Sequence, residues 1–251
     1  MAIGLNALVL AGGKRDGVCE GTSAVNKAFV PVAGVPMVTR VLQVLRDVPA
    51  IEQIAVVAPT IALDDSALEL ADVRRSSGEK IIDSVQRGLS ESEPDAMMLL
   101  AASDAPLASA EHLQRFVEKL ASTDADLIYG IAEKSAHARQ YPDVPHTWAR
   151  MRDGIYCGSA VFGIRPRVVT ALANFLDELA AARKSPIRLA KSFGWDVVIR
   201  FALGFLSINT AEERATTLLG HPVRAIIVEP DLAFNVDRKS DLVLAERYAR
   251  L

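Results

Sequence analysis

The chain has 251 residues, of which 50% are hydrophobic, and its 28 basic and 31 acidic side chains give a net charge of −3. This length and apolar content predict one α/β domain over residues 1–251, and the absence of a basic excess argues against a nucleic-acid partner. Two cysteines, Cys19 and Cys157, exclude a disulfide framework, and no apolar run is long enough to span a bilayer. We therefore expect a cytoplasmic protein with no integral membrane segment and no signal peptide.

Short apolar runs alternate with amphipathic segments along the chain, a pattern typical of βα units around a mainly parallel sheet. The predicted strands are residues 6–11, 53–58, 96–101, 126–131, 157–164 and 223–228. The predicted helices are residues 36–48, 78–89, 109–120, 166–182, 186–219 with breaks at Gly194 and Gly204, and 240–250. Ser109 is expected to cap the third of these helices.

Two segments depart from this alternation. Residues 135–153 are rich in His, Arg and Pro and are predicted to be a long excursion that is partly a hairpin. Residues 185–207 are more apolar than a surface helix requires. They fit a core or dimer-contact helical pair, or alternatively a wall for a lipid-like acceptor or a membrane-surface contact.

A glycine-rich loop follows the first predicted strand, with the sequence Leu10-Ala11-Gly12-Gly13-Lys14-Arg15. A backbone without side chains can approach a ligand closely, several N–H groups can point at a phosphate, and adjacent cations can neutralise it. The loop matches neither the Walker motif nor the dinucleotide-binding motif. It therefore predicts a nucleotide or phosphate site of another kind.

Ser103 and Asp104 follow closely after the third predicted strand. Ligands of open α/β sheets bind at the carboxyl ends of strands, and an aspartate there suits Mg²⁺, which prefers oxygen ligands shared with substrate phosphates. The alternative is that Asp104 caps the following turn. Together with the glycine-rich loop, the position favours a metal ligand.

These motifs resemble the nucleotidyltransferase signature Leu-Ala-Gly-Gly…Arg…Lys…Pro…Gly…Pro, and residues 233–242 resemble its late Asn/Asp-x-Asp motif. The chain as a whole resembles the molybdenum-cofactor-guanylyltransferase-like NTP transferase family, in an uncharacterised bacterial subgroup. The resemblance implies a nucleotide-diphospho-sugar transferase-like fold. This is a three-layer α/β/α arrangement with a mainly parallel, mixed central sheet, here with a helix-rich C-terminal insertion.

The resemblance also implies roles for individual residues. Lys27 matches the lysine that contacts phosphate and stabilises the charge developing in the transition state. Arg15 or Lys14 takes the place of the signature arginine, although Arg15 lies two residues beyond Gly13 and the signature arginine lies four beyond. Asp237 is the second Mg²⁺ ligand, unless it or Ser240 caps the last helix.

Two further segments are assigned by resemblance to the cytidylyltransferases of this superfamily. Gly78 and Ser84 are placed beside the nucleobase and Lys80 near a phosphate, with an ordinary helix from Gly78 as the alternative. The segment with Tyr156, Gly158 and Ser159 is placed at the acceptor, with a glycine kink entering a strand as the alternative. The nucleotide site then comprises Leu10, Ala11, Gly12, Gly13, Lys14, Gly78, Ser84 and Ser103.

The predicted activity is Mg²⁺-dependent transfer of an NMP group from an NTP to a phosphorylated acceptor, with release of pyrophosphate. Molybdopterin, a sugar or polyol phosphate, and a cobalamin-type or methylerythritol phosphate remain open as acceptors. The alternatives are a glycosyltransferase, disfavoured because Asp104 has no Asp-x-Asp partner, and a non-catalytic nucleotide-binding protein. A homodimer is also expected.

Overall fold

The computed structural model describes residues 4–182 and 194–250. The strands in these residues are β1 (Leu5–Leu10), β2 (Pro31–Val32), β3 (Val35–Pro36), β4 (Ile51–Ala58), β5 (Val73–Ser76), β6 (Met98–Ala102), β7 (Leu127–Glu133), β8 (Ala149–Met151), β9 (Gly154–Ile164) and β10 (Val223–Ile227). The helices are α1 (Met37–Arg46), α2 (Ile81–Gly88), α3 (Ala110–Ala121), α4 (Lys134–Gln140), α5 (Val169–Ala182), α6 (Trp195–Ala202), α7 (Ile208–Leu219) and α8 (Lys239–Tyr248).

Eight strands form one mixed sheet in the order β10-β7-β9-β6-β1-β4-β5, and β8 pairs with β9 as a hairpin. Strand β1 is parallel to β4 and β6, and β4 is parallel to β5. Strand β9 is antiparallel to both of its neighbours, β6 and β7. The carboxyl ends of β1, β4, β5, β6 and β7 therefore meet at one edge of the sheet, where ligands of such folds bind.

Side-chain alternation along β1 explains the layers, because successive residues of a strand face opposite sides of the sheet. Ala7 and Val9 belong to a core that includes Leu42 of α1 and Phe116 of α3. Leu8 faces the other side, in a core with residues of α2 and α5. The predicted three-layer α/β/α fold with a mainly parallel, mixed sheet is confirmed.

The six predicted strands are present with shifted ends, and Ser109 caps α3 by accepting a hydrogen bond from His112 N. Strand β5 was not predicted, because its sequence Val-Arg-Arg-Ser is half-buried at the sheet edge and carries no apolar run. Helix α4 was not predicted either; it stands at the start of the predicted excursion, which then reaches the β8–β9 hairpin.

The predicted helix over 186–219 is two helices in its described part, α6 and α7, and residues 186–193 lie outside the described residues. Helix α6 buries none of its residues, which argues against a core role for this helix. The exposed apolar side chains in and after α6 are Trp195, Ile199, Phe201, Leu203 and Phe205. The expected homodimer stays a prediction. In the described residues, no helix has the length and apolar character needed to cross a membrane.

Candidate active site

The glycine-rich loop after β1 is held in place by Asn26, a buried residue that the sequence analysis did not select. Asn26 Nδ2 donates to the carbonyl oxygens of Ala11 at 2.9 Å and Gly13 at 3.3 Å. Its Oδ1 accepts from Ala28 N at 3.0 Å and so caps the turn that carries Lys27. One side chain therefore fixes both the loop and the start of the lysine turn.

Close packing explains why the first position of the loop is a glycine, and backbone conformation explains why the second is. A Cβ atom on Gly12 would lie 2.7 Å from Ser77 Cβ, and Gly13 has a φ of +107°, which favours glycine. Ser103 Oγ donates to Leu10 O at 2.9 Å and ties the ends of β6 and β1 together. The predicted nucleotide residues of these two strands thus meet at the carboxyl edge of the sheet.

Lys27 bridges the two carboxylates that the sequence predicts as metal ligands. Its Nζ lies 2.5 Å from Asp104 Oδ2 and 2.8 Å from Asp237 Oδ1. The loop that carries Asp237 is also joined to the end of β6, since Val236 N donates to Asp104 O at 2.9 Å. Three segments that are far apart in the sequence therefore assemble into one charged cluster.

The positive charge of Lys27 and the negative charges of the two carboxylates stabilise each other. Burial alone would lower the pKa of Lys27, but the negative charges and hydrogen bonds of Asp104 and Asp237 outweigh it and raise the pKa well above its ordinary value. Lys27 is therefore a cation throughout the neutral range. Its ammonium group neutralises part of the charge of the two carboxylates.

Free oxygen atoms remain in the cluster. Asp104 Oδ1 and Asn235 Oδ1 are buried, and among the described residues neither has a hydrogen-bond partner. Such atoms call for a donor or a cation, and oxygen is the ligand that Mg²⁺ prefers. No group of three or more His, Cys, Asp or Glu residues in the described part of the chain is arranged as a metal site. Two carboxylates with free oxygens still fit Mg²⁺, which commonly takes its other ligands from water and substrate phosphates.

The alternative capping roles are not observed. Helix α8 has Arg238 at its N-cap, and Asp241 accepts from the backbone N–H groups of Asp237 at 3.1 Å and Arg238 at 2.9 Å. Asp241, rather than Asp237 or Ser240, is therefore the side chain that accepts hydrogen bonds from the backbone N–H groups at the start of the helix. The carboxylate of Asp237 is left facing Lys27.

The structure places Arg15 on the glycine-rich loop's own continuation rather than in the charged cluster. Its guanidinium donates to the carbonyl oxygens of Cys19 at 2.8 Å and Thr22 at 2.6 Å, and also to Ala24 O. Lys14 is exposed beside it. The guanidinium thus closes the loop over residues 15–24, and the catalytic role of Arg15 stays a prediction.

The predicted nucleobase segment lies beside the glycine-rich loop. Gly78 N donates to Ser84 Oγ at 2.9 Å, and Gly78 precedes α2, whose N-cap is Lys80. The Nζ atom of Lys80 pairs with Asp177 at 2.7 Å on the surface. Ser84 Oγ lies 3.5 Å from the position that a Cβ atom on Gly12 would take, so Gly78 and Ser84 lie beside the loop, whereas Lys80 is engaged by another helix.

The predicted acceptor residues lie on β9. Tyr156 Oη donates to Asp153 O at 3.0 Å, and a Cβ atom on Gly158 would lie 1.6 Å from Tyr129 Oη. The hydroxyl group of Ser159 is buried and accepts from Val161 N at 3.3 Å. Tyr156 and Gly158 line a cavity, whereas the Ser159 hydroxyl is turned toward the backbone of its own strand.

An aromatic cluster packs behind the Asp237 loop and was not predicted. His137 of α4 contacts His146 and Trp148, with ring centroids 4.4 and 5.6 Å apart, and Tyr141 packs on Phe234 at 5.1 Å. Burial, and then the nearby His146, lower the pKa of His137 to about 4. The excursion over 135–153 therefore supplies packing for the loop that carries Asp237.

The comparison with known families decides the assignment. A family model described as the MobA-like NTP transferase domain matches residues 7–188. The chain belongs to this family. It is accordingly a nucleotidyltransferase, and the matched region includes the glycine-rich loop, Lys27 and Asp104. No curated protein matches the chain.

Several solved structures share this fold. A hypothetical transferase from Thermus thermophilus is 28% identical, with a TM-score of 0.83, and the alignment covers 95% of this chain and 99% of that one. A 2-C-methyl-D-erythritol 4-phosphate cytidylyltransferase, also from Thermus thermophilus, is 21% identical, with a TM-score of 0.58 and coverage of 99% and 100%. The 4-diphosphocytidyl-2C-methyl-D-erythritol synthase of Anaerococcus prevotii is 13% identical, with a TM-score of 0.63 and coverage of 100% and 97%. These last two likenesses show the shared fold.

Proposed function

We propose that this nucleotidyltransferase is Mg²⁺-dependent and transfers an NMP group from an NTP to a phosphorylated acceptor. The observation that carries the proposal is the cluster of Lys27, Asp104 and Asp237 beside the glycine-rich loop. Asp104 and Asp237 would hold the cation, and the unpartnered Asp104 Oδ1 supports this role. When bound, Mg²⁺ neutralises part of the charge of the triphosphate and of the departing pyrophosphate.

In the proposed reaction, a phosphate oxygen of the acceptor attacks the α-phosphorus of the NTP. The bond between the α-phosphorus and the oxygen that bridges to the β-phosphorus breaks, and pyrophosphate leaves. The backbone N–H groups of Gly12 and Gly13 receive the phosphates, and Lys27 stabilises the charge that develops on the transferred group. A phosphate monoester is already an anion at neutral pH, so the attack needs no general base.

Pyrophosphate release tests the proposal with each of the four NTPs and a panel of phosphorylated acceptors, with and without Mg²⁺. We expect release with at least one pair, and only with a divalent cation. Asp104→Asn and Asp237→Asn should each lower turnover by about 10²-fold or more, the usual effect of removing a preorganised electrostatic contact. Asp95→Asn is the matched control, because Asp95 pairs with Arg167 before the start of β6.

Several outcomes would refute the proposal. Full turnover without a divalent cation would exclude the Mg²⁺ role, and wild-type rates in both carboxylate variants would exclude these two residues. Hydrolysis or transfer from a nucleotide sugar, with release of a nucleoside diphosphate, would favour a glycosyltransferase instead.

A further inference from the structure

A cavity of about 330 Å³ lies between the sheet and helix α7. Strands β7, β8, β9 and β10 form one wall, and Ala211 and Ala215 of α7 form the opposite wall. These two alanines are four residues apart and so lie on the same face of the helix. Their small side chains leave the space open. The volume is at the lower end of the range of about 300–1,000 Å³ typical of small-molecule sites.

The register of the sheet locates this cavity relative to the charged cluster. Ala101 of β6 lies opposite Val161 of β9, and the two strands are antiparallel. Three residues back from Val161 the chain reaches Gly158, at the edge where β6 ends and Asp104 follows. Gly158 and Tyr156 line the cavity. One end of the cavity therefore lies at the edge of the sheet that carries the proposed transfer site, and the cavity extends from there along the sheet to Val223 at the start of β10.

The walls of the cavity are mainly hydrocarbon. Ile131, Met151 and Val223 line it together with the alanines of α7. Its carboxylate, Glu212, is already used, because Oε1 accepts from Ala225 N of the edge strand β10 at 2.7 Å. The other charged residue of the lining, Arg224, donates to Val223 O at 3.1 Å and pairs with Glu212. A polyhydroxylated ligand would therefore bury hydroxyl groups here with few partners, which is unfavourable.

Tyr129 contributes an apolar ring and a polar hydroxyl group to the cavity. Its ring stacks on Phe162 at a centroid distance of 5.0 Å and an angle of 20°. The hydroxyl group reaches Gly158, where a Cβ atom would lie 1.6 Å from Oη. The glycine is therefore needed for the tyrosine to lie flat along β9. The hydroxyl end of the ring sits toward the transfer edge and the apolar side chains lie around it.

We propose that this cavity holds the body of the acceptor, and that the acceptor is a phosphate ester of a hydrocarbon group rather than of a sugar or polyol. The inference rests on the proposed function for the role of the acceptor phosphate, and it adds the chemical class of the remainder. The phosphate would lie toward Lys27, while the hydrocarbon would lie against Ile131, Met151 and α7.

Calorimetric titration with butyl, hexyl and octyl phosphate tests the inference without turnover, with inorganic phosphate and glucose 1-phosphate as references. We expect the affinity to rise about fourfold per methylene group until the cavity is filled, the equivalent of ~0.8 kcal/mol for each buried methylene. An affinity that does not depend on chain length would overturn the inference. So would tighter binding of glucose 1-phosphate than of octyl phosphate.

Variants of α7 show whether the alkyl chain enters this cavity. Ala215→Phe should weaken octyl phosphate binding by at least about tenfold because the new ring occupies the cavity. If this variant unfolds, Ala211→Leu fills the cavity with a smaller side chain. Thr217→Phe adds the same ring at an exposed position of the same helix and should leave binding unchanged. Unaltered octyl phosphate binding in the folded cavity variants would overturn the inference.

NTP affinity and pyrophosphate release separate this inference from the proposed function. The cavity variants should bind NTP as the wild type does. If wild-type protein releases no pyrophosphate with any acceptor but still binds octyl phosphate through α7, the proposed function fails and the hydrocarbon site stands. If pyrophosphate release occurs only with sugar phosphates, the proposed function stands and the hydrocarbon site fails.

Discussion

At the scale of single residues, Lys27 occupies the space between two carboxylates that are also the candidate metal ligands. Its ammonium lies within 2.8 Å of both Asp104 and Asp237. A divalent cation held by the same two carboxylates would be repelled by a positive charge so near. We therefore expect the lysine and the metal to compete for the carboxylates. Under the proposed function, metal binding releases Lys27 toward the triphosphate.

Replacement of Lys27 by methionine separates these two effects. Lys27→Met should raise the affinity for Mn²⁺ in the absence of nucleotide by at least about tenfold, because the competing charge is gone. The same variant should lower kcat by about 10²–10³-fold, since under the proposed function Lys27 stabilises the charge of the transition state. Metal titration by calorimetry and steady-state kinetics measure the two changes.

Lys27→Arg is the matched control, because it keeps the charge near the carboxylates but replaces a compact ammonium with a planar guanidinium. It should retain the weak metal affinity of the wild type and rescue kcat poorly. If Lys27→Met binds Mn²⁺ no more tightly than the wild type, the competition does not exist. If its kcat is unchanged and only KM rises, Lys27 is a binding residue.

The sequence nominated Lys27, Asp104 and Asp237 separately, but it could not show that they meet. Their contact depends on tertiary packing, because Asp104 and Asp237 are 77 and 210 positions away from Lys27 in the sequence. Asn26 was missed because a buried asparagine that holds two loops has no periodicity and no motif of its own. Arg15 was selected because it follows the two glycines, near the position of the signature arginine, whereas its hydrogen bonds depend on the path of the loop over residues 19–24.

At the scale of elements, the glycine-rich loop packs against the segment before α2, and this contact leaves no space for a side chain. Gly12→Ala would place a Cβ 2.7 Å from Ser77 Cβ, so it should lower the free energy of unfolding by about 1–3 kcal/mol and weaken NTP binding. Gly17→Ala is the matched control, because nothing lies within 4 Å of its Cβ position, and its effect should stay within about 0.5 kcal/mol. Chemical denaturation and NTP titration provide the measurements. Equal effects of the two substitutions would show that this close approach is unimportant.

The α4 segment gives the protein a specific response to acid. The pKa of His137 falls from an ordinary 6.5 to about 4, so between these values the unfolded chain binds the proton and the folded chain does not. Stability should therefore fall as the pH drops from 6.5 to 4, with this residue contributing about 3 kcal/mol. His137→Phe keeps the aromatic packing and removes the titration, so its stability should fall less over this range.

Unfolding free energies of both proteins at pH 8 and at several values down to pH 4 test this response. At pH 8 the histidine is neutral in both states, and the two proteins should differ only by the packing of the new ring. Parallel curves across the acid range would mean that His137 titrates normally in the folded protein.

Amphipathic elements were the easiest to predict from the sequence. The apolar face of α3, with Leu113, Phe116 and Leu120, matches the helical period, and these residues are buried as expected. Strand β5 could not be predicted because its pairing with β4, rather than its composition, makes it a strand. Helix α4 could not be predicted because its residues are mostly polar and its position is set by the packing of His137.

At the scale of the whole molecule, the site joins the turn that carries Lys27, the end of β6 and the loop before α8. A ligand that contacts all three should stabilise the folded state as a unit. At 100 times its Kd, Mg²⁺ with the preferred NTP should add about 2.7 kcal/mol to the free energy of unfolding. Thermal denaturation with NTP alone, Mg²⁺ alone and both together measures this effect.

Asp237→Asn tests whether the loop before α8 takes part in this linkage. In this variant, adding Mg²⁺ to the NTP should raise the Tm much less than in the wild type, whereas Asp95→Asn should respond as the wild type does. An equal Mg²⁺-dependent rise in both variants would remove Asp237 from the metal site.

The backbone hydrogen bond from Val236 N to Asp104 O also has a consequence for folding. Val236 and the loop before α8 are more than 200 residues from the glycine-rich loop in the sequence. Docking of the loop before α8 therefore closes a very long chain loop, and contacts of this kind form slowly. The sheet around β1, β4 and β6 can assemble from the first hundred residues before this occurs. During refolding, β-sheet signals should therefore recover before enzymatic turnover, and the competent enzyme forms only when its last helix has docked.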